Sequence, residues 1–224
     1  LPSLLIIPFV LLAGKLAAGF IRGAEGEGVG TSLKHFAVNN QETLRMSVSA
    51  EVDERALHEL YLRPFEIAVK EGAPSTVMCS YNRINGVYAS ENRMLLTRIL
   101  REQWGFDGLV ISDWGAVYRR PAGVAAGLDL EMPSSGGVTD REIVRAVRAG
   151  RLDEAALDAL CARVLRLALA HAPQRKKAYP APVHNVAAVR RMLDRHHALA
   201  VRAARESAVL LKNEGRVLPL APDA

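Results

Sequence analysis

Short apolar runs alternate with longer segments of helical spacing along most of the chain, the pattern of alternating strands and helices. Three of the runs share one feature: each ends in polar groups. Thr31 to Leu33 reads as a strand that exits into Lys34 and His35. Ser75 to Tyr81 reads as a strand followed by Asn82-Arg83-Ile84-Asn85-Gly86. Gly108 to Ile111 reads as a buried strand followed by Ser112-Asp113-Trp114-Gly115.

Between these strands the spacing predicts helices. Glu51 to Glu71 is amphipathic, with Val52, Leu57, Leu60, Phe65, Ile67 and Ala68 as core candidates. Leu95 to Trp104 is a shorter helix ended by Gly105. Asp140 to Ala149 and Asp153 to Ala170 form a pair around Gly150, with Asp153 as N-cap. Residues 172–185 are Pro-rich and polar and predict a linker. Val186 to Ser207 predicts a long helix, and Ala208 to Leu211 a strand.

In barrels of alternating strands and helices, reactive groups collect where strands end. A carboxylate beside an indole, as in Asp113-Trp114, suits a sugar, whose C–H face stacks on the ring while its hydroxyls seek hydrogen bonds. Asp113 as a helix N-cap beside a packing Trp is the alternative reading of that segment. Lys34 and His35 are adjacent cations that need an anion or hydroxyls to receive them, and Arg45 adds a planar donor fork.

Composition changes the picture little. The 224 residues are 50% hydrophobic and 24% charged, ordinary for a folded soluble domain. The net charge of +5 comes from scattered Arg residues. The densest run, Arg175-Lys176-Lys177, sits in the Pro-flanked stretch and reads as solvated linker rather than a nucleic-acid surface. Cys79 and Cys161 form no disulfide framework and read as reduced core residues. No metal-ligand spacing occurs, and no phosphate-binding Gly motif. Leu1 to Gly14 is uncharged, but Lys15 ends that run short of the roughly twenty residues a membrane span needs.

Four ordered motifs then make the chain recognisable: Lys34-His35-Phe36-Ala37-Val38-Asn39-Asn40-Gln41-Glu42, Met78-Cys79-Ser80-Tyr81-Asn82, Ser112-Asp113-Trp114-Gly115-Ala116 and Ala126-Gly127-Leu128-Asp129-Leu130-Glu131-Met132-Pro133. Together they resemble glycoside hydrolase family 3 in its β-glucosidase branch, over residues 8 to 220. Where the family's β-N-acetylglucosaminidases carry Pro-Gly-His-Gly, this chain has Ala37-Val38-Asn39-Asn40.

The resemblance implies an α/β fold: an incomplete (β/α)8 TIM-like barrel, a linker and the start of an α/β sandwich domain. The implied boundaries are 1–171 for the later part of the barrel, with residues 1–7 foreign to the family. Residues 172–204 are linker and connecting helix, and 205–224 the beginning of the second domain. It implies a retaining glycosidase with Asp113 as nucleophile. Lys34, His35 and Arg45 would bind sugar hydroxyls, Met78 and Tyr81 would shape the pocket, and Trp114 would stack beneath the ring. The acid/base Glu belongs to the second domain, beyond Ala224. No cofactor, metal, nucleic acid or membrane is implied; the partner is a small carbohydrate. Two other readings stand beside it: a Schiff-base enzyme using Lys34, and an inactive or carbohydrate-binding remnant.

Overall fold

The computed structural model describes residues 3–172 and 186–220. In chain order its elements are α1 (Ser3–Gly26), β1 (Ser32–Phe36), β2 (Ser49–Ala50), α2 (Glu54–Ala56), a π-helical stretch Leu57–Leu62, and α3 (Arg63–Gly72). Then come β3 (Thr76–Cys79), β4 (Arg83–Ile84), β5 (Val87–Tyr88), a π-helical segment Met94–Gln103, β6 (Leu109–Ile111), α4 (Arg120–Ala126), α5 (Val138–Arg148), α6 (Glu154–His171) and α7 (Val186–Ser207). The chain divides into two compact units, 1–176 and 177–224.

The helix expected from Glu51 starts after Asp53 instead, because the Asp53 carboxylate accepts the Ala56 N–H at 2.8 Å and caps it there. It widens to π spacing over Leu57–Leu62, just before Pro64 at the start of α3. Pro64 has no N–H to give the preceding turn, so the ladder loosens at that point. Ala73 closes α3 in the left-handed region and returns its N–H to Val69 O.

β1, β3 and β6 form one parallel sheet in that spatial order, with β3 in the middle. Ile111 continues the sheet through a parallel bridge to Leu130. β1 is longer than its apolar run predicts and takes in Lys34 and His35. Its register slips between Leu33 and Phe36, where the partners are Val77 and Cys79, so one extra residue bulges beside the site. A small second sheet joins β2 to the β4–β5 hairpin, turned by Asn85 and Gly86, both at positive φ.

The core lies between this sheet and the helices. Phe36, Val77, Leu96, Leu100 and Val110 are fully buried in it. Phe36 meets Phe65 and Trp104 edge-on, at centroid distances of 5.2 and 5.7 Å. Two carboxylates tie helices to strands. Glu25 accepts the N–H and hydroxyl of both Thr31 and Ser75, at 2.7 to 2.8 Å, and so fixes the entrances of β1 and β3. Asp129 is buried and accepts Arg101 at 2.6 Å, the Val110 N–H at 2.7 Å and Arg163 at 2.7 Å.

Two sequence expectations are corrected. Cys161 is exposed, because α6 buries Leu160 and the next residue along a helix points about 100° away. Ala208–Leu211 forms no strand among the described residues; Leu211 is 91% exposed, and an extended segment becomes a strand only against a partner backbone. α7 spans Val186–Ser207 as its spacing predicts. The linker expected at 172–185 falls, from residue 173 onward, outside the described residues, as does Arg175-Lys176-Lys177.

Candidate active site

The buried strand β6 delivers Asp113 to the sheet end, and a tight net of bonds holds it there. Ser112 N donates to Leu130 O at 2.9 Å, while Ser112 Oγ accepts the Met132 N–H at 2.8 Å. Gly115, at a positive φ that suits glycine, donates its N–H to Met132 O at 2.8 Å. The two carboxylate oxygens of Asp113 then differ. Oδ1 accepts the Trp114 N–H at 2.7 Å. Oδ2 is buried, has no hydrogen bond among the described residues and lies 3.4 Å from Nε2 of His35. A helix cap would serve donors two or three residues on; the next helix here begins at Arg120, so the capping alternative fails.

His35 reaches Asp113 from β1, the far edge of the sheet. Its neighbour Lys34 does not: it is exposed and makes no ion pair or hydrogen bond among the described residues. The two cations expected together are therefore separated in their surroundings. An exposed Lys34 also lacks the desolvated apolar pocket that a Schiff-base lysine uses.

Tyr81 follows β3. Its hydroxyl donates to Trp114 O at 3.0 Å, joining the middle strand's exit to the loop that carries Asp113. Burial pushes the Tyr81 phenol above its ordinary value, and the charge of Asp113 pushes it further, so the hydroxyl stays a donor. The Arg45 guanidinium lies 4.9 Å from the Tyr81 ring centre and pairs with Glu42 at 3.0 Å. Met78 is buried, in register with Ile111. Trp114 is 57% exposed.

Other candidates are committed elsewhere. Glu131 accepts the Thr139 hydroxyl and lies 3.9 Å from Arg120. Burial drives the Cys79 thiol up to about 12, which removes it as a nucleophile at neutral pH. Among the described residues, no group of three His, Cys, Asp or Glu side chains is placed to hold a metal ion. No described helix is long and apolar enough to cross a membrane.

Sequence reasoning missed Ser112 and Tyr118. Ser112 reads as a generic polar exit, yet its hydroxyl sets where β6 ends. Tyr118 donates its hydroxyl to Met46 O, within the loop of Arg45. An aromatic residue soon after a reactive loop is the one signal that could have marked it.

Comparison with known proteins gives the family. Residues 10–167 match the glycosyl hydrolase family 3 N-terminal domain. The thermostable β-glucosidase B of Acetivibrio thermocellus is 50% identical over 209 residues, which cover 93% of this chain and 26% of the relative. An exo-α-(1→6)-L-arabinopyranosidase of Bifidobacterium longum is 48% identical over 209 residues, again 93% of this chain and 26% of the relative. The structure of β-glucosidase 3B from Thermotoga neapolitana in complex with α-D-glucose superposes with a TM-score of 0.83 at 39% identity, covering 95% of this chain and 29% of that one. The chain thus spans about a quarter of the length of these curated relatives. With its N-terminal-domain match running through β1, β3, β6 and the Asp113 loop, the chain belongs to glycoside hydrolase family 3.

Proposed function

We propose that this chain supplies the nucleophile side of a retaining glycosidase of β-glucosidase type, within a barrel to which β1, β3 and β6 contribute. One observation carries the reading: among the described residues Asp113 Oδ2 is buried, free of hydrogen bonds and beside His35 at the end of a parallel strand. That oxygen attacks the anomeric carbon as the bond to the leaving oxygen breaks, and water later hydrolyses the resulting glycosyl ester. His35 and Arg45 receive sugar hydroxyls, with Lys34 free to join them from solvent. Tyr81 and Met78 shape the pocket wall, and Trp114 stacks on the ring. Residues 205–224 begin the second domain.

A retaining enzyme also needs an acid/base carboxyl about 5 Å from the nucleophile. Asp129 and Glu131 are held by Arg101, Arg163 and Thr139, so neither is free to serve as that carboxyl; the family resemblance assigns the proton donor to the second domain. Glucosides lead the substrate class because glucosidases lead the relatives, and the arabinopyranosidase makes L-arabinopyranosides the second choice.

The test is mechanism-based labelling. A 2-deoxy-2-fluoro-β-glucoside with a dinitrophenolate leaving group needs little acid help and should add one glycosyl mass to Asp113, read by intact mass and peptide mapping. Label at another residue, or undiminished labelling of Asp113→Ala, would remove Asp113 from this role. Saturable glucose binding without any label would favour the carbohydrate-binding remnant.

A further inference from the structure

The segment that carries Arg45 is exposed from residue 41 to residue 47. Its internal bonds are local turns: Arg45 N to Glu42 O at 3.2 Å, and both Ser47 N and Val48 N to Leu44 O at 2.8 Å. Such turns shape the loop without placing it over the sheet. Val48 O, where the loop ends, accepts the Arg83 N–H at 2.9 Å. At the crown, next to Arg45 itself, one long-range hydrogen bond among the described residues reaches in from elsewhere: the Tyr118 hydroxyl donates to Met46 O.

Tyr118 comes from the same loop as Asp113, and its ring is held in place. It stacks on Tyr88 with centroids 3.7 Å apart and planes 16° from parallel. Tyr88 is itself fixed by Arg83, whose guanidinium lies 4.4 Å from the ring centre and donates to the hydroxyl at 2.9 Å. Burial, then the neighbouring Tyr88, push the Tyr118 phenol up to about 12, so the donor proton is retained throughout the neutral range.

We propose that Tyr118 is a positioning residue for substrate binding: by holding Met46 O from the stacked Tyr88 platform, it couples the placement of the Arg45 guanidinium to the loop that bears Asp113. This inference rests on the glycosidase reading above. A Tyr118 that merely packed would act through its ring alone. One that positions Arg45 must act through its hydroxyl, and only while Arg45 is present.

Tyr118→Phe keeps the ring and removes the hydroxyl. Labelling of the 224-residue chain by the same fluoroglucoside is resolved into an inactivator binding constant and a limiting rate, for wild type, Tyr118→Phe, Arg45→Ala and the double variant. The expected result is binding weakened about fivefold in Tyr118→Phe, the size of one net hydrogen bond. The limiting rate should stay within about twofold of wild type. On the Arg45→Ala background the same change should add nothing, because coupled residues are not additive. Amide exchange over residues 43–48 should accelerate in Tyr118→Phe. Tyr88→Leu, which removes the platform and keeps the hydroxyl, should weaken binding in the same sense and serves if Tyr118→Phe unfolds. Unchanged binding in Tyr118→Phe, or an equal loss with and without Arg45, would overturn the proposal while leaving the nucleophile intact. No labelling of wild type would instead sink the glycosidase reading, and this inference with it.

Discussion

Nε2 of His35 and Oδ2 of Asp113 lie 3.4 Å apart, although they come from opposite edges of the β1–β3–β6 sheet. The bulge in β1 accompanies this meeting, and the Tyr81 hydroxyl, which feels the charge of Asp113, gives its proton to Trp114 O instead. Among the described residues Oδ2 thus faces a ring nitrogen and accepts no hydrogen bond, the arrangement an oxygen needs if it is to bond to carbon.

His35→Ala should therefore slow labelling of Asp113 by about 10²-fold, the loss typical of removing one preorganised polar partner. The rate of mass gain under excess fluoroglucoside measures it. A rate equal to wild type would show that His35 is a bystander.

Asp129 holds the middle of β6 at Val110. Its carboxylate is shared by Arg101 and Arg163 and also takes the Val110 N–H. Asp129→Ala would leave two largely buried guanidinium groups without their counter-charge and one strand N–H without an acceptor. Breaking a buried pair this way costs about 3–5 kcal/mol. Urea unfolding of wild type and variant measures the difference; a loss below about 1 kcal/mol would mean the arginines find other acceptors.

How much of this was legible beforehand differs by element. The strands carrying the motifs, the helices α6 and α7 and the adjacency of Asp113 and Trp114 follow from local pattern, because periodicity and strand-end chemistry are written in neighbouring residues. The β2–β4–β5 sheet was not read, since its strands are two residues each and the Asn85-Gly86 turn signal had no apolar runs to flank. Lys34 and His35 look equivalent in sequence, and only the fold shows that His35 alone meets Asp113. The Tyr118–Met46 and Asp129–Arg163 contacts join residues far apart in the chain, where local pattern carries no information.

Gly108 stands where β6 leaves the Phe106 turn. A Cβ there would sit 2.6 Å from Ser75 O and 2.7 Å from Phe106 Cζ. Ser75 O accepts the Leu109 N–H at 3.2 Å, so relief of the clash would move the start of the strand that ends in Asp113. Gly108→Ala should cost about 1–3 kcal/mol, the usual penalty of overpacking, and should also slow labelling. Thermal unfolding and labelling rates check both; an unchanged melting temperature would show that the gap between β3 and β6 can open freely.

Glu25 makes a pH prediction whose sign can be worked out. Partial burial raises its carboxyl, but the four hydrogen bonds from Thr31 and Ser75 outweigh that, and the folded value falls below the ordinary 4.5. The unfolded chain therefore takes up the proton first as pH falls, and stability falls with it. The contribution is complete above about 4.5 and is lost as pH drops through the lower folded value. Glu25→Gln has no proton to exchange, so its unfolding free energy should fall less steeply than that of wild type below about pH 4.5 and run parallel to it above about pH 6. Urea midpoints across that range give the comparison. If the two curves stay parallel throughout, the Thr31–Ser75 clamp does not depend on the charge of Glu25.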